Sequence, residues 1–152
     1  MRVLFFGTPQ VAVPSLEALV SAGHELPLVI TQPDRPSGRS RTPKAPPVKQ
    51  AAQSLGIEVR QPTRIGETTF LQGIRDLAPD LYAVVAYGRI LRKKLLGLPP
   101  QGAVNVHFSL VPKYRGAAPV QWALARGERT TGVTTMRINE RLDEGDLLLQ
   151  EE

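Results

Sequence analysis

The chain has 152 residues, 19 Lys and Arg against 14 Asp and Glu, a formal charge of +5, and hydrophobic and charged fractions of 41% and 22%. These proportions suit one globular domain that buries roughly two thirds of its unfolded surface, and they exclude a disordered or fibrous chain. No run approaches the ~18 consecutive apolar residues of a membrane span, and the apolar start at 3–6 is too short for a signal peptide, so a cytoplasmic protein without membrane contact is expected. With no cysteine and only His24 and His107 as imidazoles, no metal cofactor is expected.

Residues 2–6 form a short apolar run that ends at Gly7-Thr8-Pro9, and Val11, Leu16, Leu19 and Val20 then recur at near-helical spacing up to Gly23. This pattern predicts strand, tight turn and helix. A dinucleotide turn is disfavoured, because Pro9 and Val11 stand where glycines would let a pyrophosphate approach. Residues 26–31 predict a second strand.

A cationic segment follows. Between Pro33 and Lys49 lie Arg35, Arg39, Arg41, Lys44 and Lys49 against the single acid Asp34, while the rest of the chain holds 14 bases and 13 acids. Five prolines in the same stretch (33, 36, 43, 46 and 47) oppose helix and central strand. The expectation is a long, stiffened loop, either a solvated excursion or a contact for a polyanion.

Beyond it the pattern predicts a helix over 48–55, a strand over 57–60, a helix over 70–77, and a nearly continuous apolar strand over 80–86. A short helix at 90–96, a strand at 103–108, a helix at 119–126 and strands at 132–137 and 146–150 complete the series. Apolar strands alternating with helices indicate an α/β, doubly wound and mostly parallel sheet, without internal repeats.

Within the strand Ala103-Val104-Asn105-Val106-His107-Phe108, alternation puts Asn105 and His107 on one face, about 7 Å apart. Two readings stand side by side. The pair is a satisfied polar strand face, or it is catalytic, with an amide that stabilises an oxyanion and an imidazole that moves protons near neutral pH. Its place at the carboxyl end of a strand, where sites in such sheets lie, favours the second. The charged turn Arg141-Leu142-Asp143-Glu144-Gly145-Asp146 could bring a carboxylate to orient the imidazole, and spacing leaves Asp143, Glu144 and Asp146 open.

The stretch from Asn105 to Pro119, Asn-Val-His-Phe-Ser-Leu-Val-Pro-Lys-Tyr-Arg-Gly-Ala-Ala-Pro, followed by Leu142-Asp143-Glu144-Gly145-Asp146, resembles the folate-dependent formyltransferases. The resemblance runs from about residue 2 to 150, over a Rossmann-like fold. Phe6-Gly7-Thr8-Pro9, the segment from Gln32 to Arg39 and Arg115 to Gln121 are similar to the branch of that family whose acceptor is methionyl initiator tRNA. The resemblance implies transfer of a formyl group from 10-formyltetrahydrofolate to the methionine α-amino group, in support of translation initiation. By position it implies Asn105, His107 and Asp143 as catalytic residues. It implies folate binding along Tyr87, Gly88, Arg89, Ile90 and Leu91, with Ser109, Leu110 and Pro112 shaping the same pocket. Arg35, Arg39, Arg41 and Lys44 would meet the tRNA, with Arg39 and Arg41 favoured.

Related chemistries share the triad: a sugar-nucleotide or purine-pathway formyltransferase, or a formyltetrahydrofolate hydrolase that uses water as acceptor. An RNA-binding module without catalysis is a further alternative. Phe108 stands where the family more often has a small residue, and Val111 where it has leucine. The family continues past the position of Glu152 through more of the catalytic domain and then a C-terminal β-barrel domain, so residues 1–152 are expected to be a truncated N-terminal catalytic domain of a longer protein, with a monomer favoured for the whole.

Overall fold

A computed structural model describes residues 1–36 and 42–152. Strand β1 (Arg2–Gly7) leads through a 3-10 turn at Gln10–Ala12 into helix α1 (Val13–Ser21), and β2 (Glu25–Ile30) returns beside β1 in parallel. Two-residue strands β3 (Arg35–Pro36) and β4 (Pro43–Lys44) precede α2 (Pro47–Ser54), β5 (Val59–Arg60) and α3 (Thr68–Asp76). Then come β6 (Leu81–Val85), α4 (Lys93–Leu96), β7 (Ala103–His107), α5 (Pro119–Ala125), β8 (Val133–Arg137) and β9 (Leu147–Glu151).

The central sheet runs in the order β5-β2-β1-β6-β7-β8-β9. Its first five strands are parallel, while β8 and β9 are antiparallel to their neighbours. Strand alternation divides the core into two layers. Leu4, Phe6, Leu28, Ile30 and Tyr82 pack with Ile74 of α3 on one side, and Phe5, Val29 and Val85 pack with Val13, Leu16, Val48 and Ala52 of α1 and α2 on the other. Phe6 meets the rings of Tyr82 and Tyr87 edge-on at 5.1 and 5.4 Å, contacts worth about 0.5–1.5 kcal/mol each beyond their burial. The doubly wound architecture expected from the pattern is the one observed.

Prolines start three helices. Pro14, Pro47 and Pro119 occupy the first turns of α1, α2 and α5, where the missing N–H costs no helical bond. The turn after β1 is tight because of packing, since a Cβ on Gly7 would lie 2.6 Å from the Phe5 ring and 3.1 Å from the Val85 carbonyl. Thr8 then donates through Oγ1 to the Tyr87 carbonyl at 3.0 Å, joining the ends of β1 and β6.

Three local expectations need revision. The cationic segment carries a short antiparallel ladder, Arg35 opposite Lys44 and Pro36 opposite Pro43, because a two-residue edge ladder tolerates proline. Only Val59 and Arg60 of the 57–60 stretch are strand. The helix expected from residue 90 begins at Lys93, because Arg92 is extended and Leu91 is drawn into the core while Ile90 stays 77% exposed. Among the described residues no helix is long and apolar enough to cross a membrane.

Candidate active site

The site forms where two loops from opposite edges of the sheet meet over β7. Antiparallel pairing sets Val104 opposite Arg137 and His107 opposite Thr134, so the turn after β8 starts beside the beginning of β7. The loop after β7 leaves from the other end. They join at Asp143, whose Oδ2 accepts a hydrogen bond from the Gly116 amide at 2.8 Å and whose Oδ1 accepts one from Asn105 Nδ2 at 3.3 Å.

His107 completes the cluster. Its Nδ1 lies 3.6 Å from Asp143 Oδ2, and its side chain and that of Asp143 are only 7% and 11% exposed. Its Nε2 stands 2.8 Å from the Tyr114 carbonyl, an oxygen that can only accept, so Nε2 carries a proton. Both ring nitrogens therefore have protein partners. Of the three carboxylates left open by spacing, Asp143 is the one beside the imidazole, while Glu144 faces Arg115 and Arg141 at 3.6 Å each.

Backbone strain gathers here. Among the described residues the non-glycine positions in the left-handed region are Ala78, Ala86, Tyr114, Ala118 and Asp143, and all but Ala78 lie at or beside this site. Each such residue costs roughly 1–2 kcal/mol, and strain of this kind collects at functional sites.

Asn105, His107 and Asp143 open into a cavity of about 830 Å³, also lined by residues 86–93, 116–119 and 136–142. The expected folate segment is part of that wall, though its residues differ in character. Gly88, Arg89 and the exposed Ile90 face the cavity, whereas the Tyr87 and Leu91 side chains are core, at 2% and 5% exposure. The Tyr87 carbonyl is taken by Thr8 and by Gln32 Nε2 at 3.2 Å, and its hydroxyl, like that of Tyr82, has no hydrogen-bond partner among the described residues. Burial pushes both phenols above their ordinary pKa. Arg89 directs its guanidinium to the carbonyls of Pro62 and Thr63.

Ser109, Leu110 and Pro112 do not line this cavity. The strand ends at His107, and Thr134 Oγ1 donates to the Ser109 carbonyl at 2.6 Å and accepts from the Val111 amide at 3.3 Å, which ties the loop towards β8. Ser109 is buried with its hydroxyl on the Lys113 carbonyl, and Leu110 and Pro112 face a separate cavity of about 590 Å³. Tyr114 and Gly116, both inside the run that carries the resemblance, reach His107 and Asp143 through main-chain atoms, and Gly116 lines the cavity. Thr8 and Gln32, which hold the Tyr87 carbonyl, sit at strand ends where such supports are expected.

In the cationic segment, Arg35 and Lys44 are exposed on paired strands, while Arg39 and Arg41 lie outside the described residues. Its base is anchored. Lys49 Nζ pairs with Asp34 at 2.9 Å, and Gln61 Nε2 donates to Asp34 Oδ1 and to the Gln32 carbonyl. The Gln61 bond and Lys49 hold the Asp34 carboxyl below its ordinary pKa. The segment's one acid and one of its bases thereby neutralise each other, and among the described residues Arg35 and Lys44 remain as its outward charge.

Comparison with known proteins decides the family: the formyl transferase family matches residues 1–152. The chain belongs to the formyl transferases. Among curated relatives of this formyl transferase domain, the methionyl-tRNA formyltransferases of Pelotomaculum thermopropionicum and Acidobacterium capsulatum are 56% and 58% identical over 99% and 100% of the chain. The chain spans about half the length of these relatives, 48% and 49% respectively. Among solved structures, phosphoribosylglycinamide formyltransferase from Bacillus halodurans superposes with a TM-score of 0.78 at 22% identity, covering 99% of this chain and 78% of that one. Glycinamide ribonucleotide transformylase 1 from Geobacillus kaustophilus gives 0.75 at 23%, covering 99% and 80%. At these identities the formyl transferase structures speak for the shared fold.

Proposed function

We propose that this domain transfers a formyl group from 10-formyltetrahydrofolate to the α-amino group of methionine on initiator tRNA, as part of a longer cytoplasmic protein. The observation that carries the reading is Asp143, whose carboxylate gathers Asn105, Gly116 and His107 at the mouth of one cavity. The amine nitrogen attacks the formyl carbon, a C–N bond forms, and negative charge develops on the formyl oxygen. Asn105 has a second amide N–H beyond the one directed at Asp143, and that N–H stabilises the charge. Cleavage of the donor's C–N bond completes the transfer, with the proton lost by the attacking amine returned to the departing nitrogen. Since Nε2 of His107 is held by the Tyr114 carbonyl while Nδ1 faces the Asp143 carboxylate, the imidazole supports charge beside Asp143 rather than acting as a freely rotating base.

The folate site fits the wall formed by Gly88, Arg89 and Ile90, apolar at Gly88 and Ile90 where a ring would lie and bordered by strained backbone at Ala86. The acceptor is argued from charge. Arg35, Arg39, Arg41 and Lys44 supply contacts for RNA phosphates, Arg39 and Arg41 foremost, and a small amine substrate would leave these four without a role. A formylation assay on charged initiator tRNA, using the natural-length protein, tests the reading. Faster transfer to a small amine, or formate release without any amine, would replace it with the corresponding alternative.

A further inference from the structure

The loop between β7 and α5 is clamped at a residue that also touches the catalytic imidazole. Tyr114, in the left-handed region at φ 54°, points its carbonyl at His107 Nε2 and its side chain the other way. Its hydroxyl donates to Glu128 Oε1 at 2.7 Å, and Lys113 Nζ reaches the same oxygen at 3.1 Å. Arg126 lies 5.8 Å from the centroid of the Tyr114 ring. Glu128 is fixed in turn, since its amide donates to the Ala123 carbonyl at the end of α5. The Tyr114 bond and then Lys113 hold the Glu128 carboxyl below its ordinary pKa, so it stays an acceptor, while the same bond raises the phenol and keeps it a donor.

We propose that Tyr114 and Glu128 are a positioning pair for His107: their side-chain bond holds the Tyr114 carbonyl in place, which fixes the imidazole proton on Nε2 and turns Nδ1 towards Asp143. A residue bonded only through its side chain would leave the imidazole free to choose its tautomer. Here one residue carries both the anchor and the acceptor, so loosening the phenol moves the carbonyl. Among the described residues neither Tyr114 nor Glu128 hydrogen-bonds to the side chain of Asn105 or Asp143, which separates this role from direct participation in the reaction. The kinetic half of the inference rests on the proposed formyl transfer; the tautomer half does not.

The test uses histidine labelled with 15N in the natural-length protein, where His107 is read against His24, a residue outside the site. Wild type is expected to show the Nε2–H pattern for His107. Tyr114→Phe is expected to convert it to a mixture of tautomers and to lower kcat about tenfold or more, as loss of a group fixing a histidine's tautomer commonly does, with KM for the folate donor within about twofold. Glu128→Gln, whose amide oxygen still accepts from the phenol, is expected to keep both readouts near wild type. Lys113→Met, which removes only the second partner of Glu128, is expected to do the same. An unchanged His107 pattern in Tyr114→Phe, or a changed pattern with wild-type kcat, overturns the proposal. Unchanged His24 signals report an intact fold, and a wild type that transfers no formyl group while showing the expected tautomers refutes the functional reading alone.

Discussion

His107 Nδ1 and Asp143 Oδ2 face each other at 3.6 Å, an ion pair only when the imidazole is protonated and too far for a hydrogen bond, because Asp143 is held instead by the Gly116 amide at 2.8 Å. The carboxylate is thus anchored to backbone, and its relation to the imidazole is set by two loops rather than by a direct bond. This arrangement makes the charge on Asp143 and the integrity of both loops the sensitive quantities.

Asp143→Asn should damage structure and activity together. The carboxylate accepts from Gly116 on one oxygen and from Asn105 on the other, and an amide can accept on only one side. The unmet donor costs about 1–3 kcal/mol, seen as a lower urea midpoint. Formyl-transfer rate should fall further than Tyr114→Phe lowers it. Asn105→Ala, by contrast, should lose about 10² to 10³ in kcat with nearly unchanged circular dichroism, as expected for an oxyanion donor.

Gly145→Ala should displace the turn that carries Asp143. A Cβ there would collide with the Arg137 carbonyl, which is backbone and cannot swing aside. A loss of about 1–3 kcal/mol is expected, together with most of the activity. Gly66→Ala offers the control, because its Cβ would meet nothing within 4 Å, its backbone is not left-handed and it lies outside the cavity lining. Thermal midpoints and initial rates of the two variants should separate clearly.

Arg35→Ala with Lys44→Ala should weaken RNA binding without touching the chemistry. If each side chain neutralises one phosphate, the slope of log affinity against log salt should become shallower by about one unit per side chain. Binding isotherms at several salt concentrations measure this. An unchanged slope would remove both residues from the interface.

Alkaline pH should destabilise the fold through its tyrosines. All three, Tyr82, Tyr87 and Tyr114, are raised above the ordinary value of 10.0, the first two by burial and the third chiefly by its bond to Glu128. The unfolded chain ionises near pH 10 and the folded chain does not, so stability present below pH 10 declines as pH rises through the folded values. Phenolate absorbance should therefore appear at higher pH in the folded protein than in the urea-unfolded chain.

Much of the site could be read from the sequence because it obeys periodicity. Asn105 and His107 share a face through strand alternation, and the sheet's layering follows from apolar runs such as 80–86. Ser109, which the resemblance places at the pocket, is drawn away from it, since Thr134 captures its carbonyl and the strand has already ended. Ile90 to Arg92 looked helical by composition, but the core takes Leu91 and leaves Arg92 extended. Tyr114 and Gly116 lie in the motif that carries the resemblance, but the groups they present to His107 and Asp143 are a carbonyl and an amide of the main chain, which every residue has, so side-chain pattern does not assign these two contacts.

The reversal of strand direction between β7 and β8 has an organisational effect. It folds residues 105–143 back on themselves, so Asn105, His107, Tyr114, Gly116, Glu128 and Asp143 all belong to one continuous stretch. The ladder of β3 and β4 belongs to another, anchored separately by Asp34, Lys49 and Gln61. A change of length or charge in that ladder therefore leaves the hydrogen bonds around Asp143 untouched.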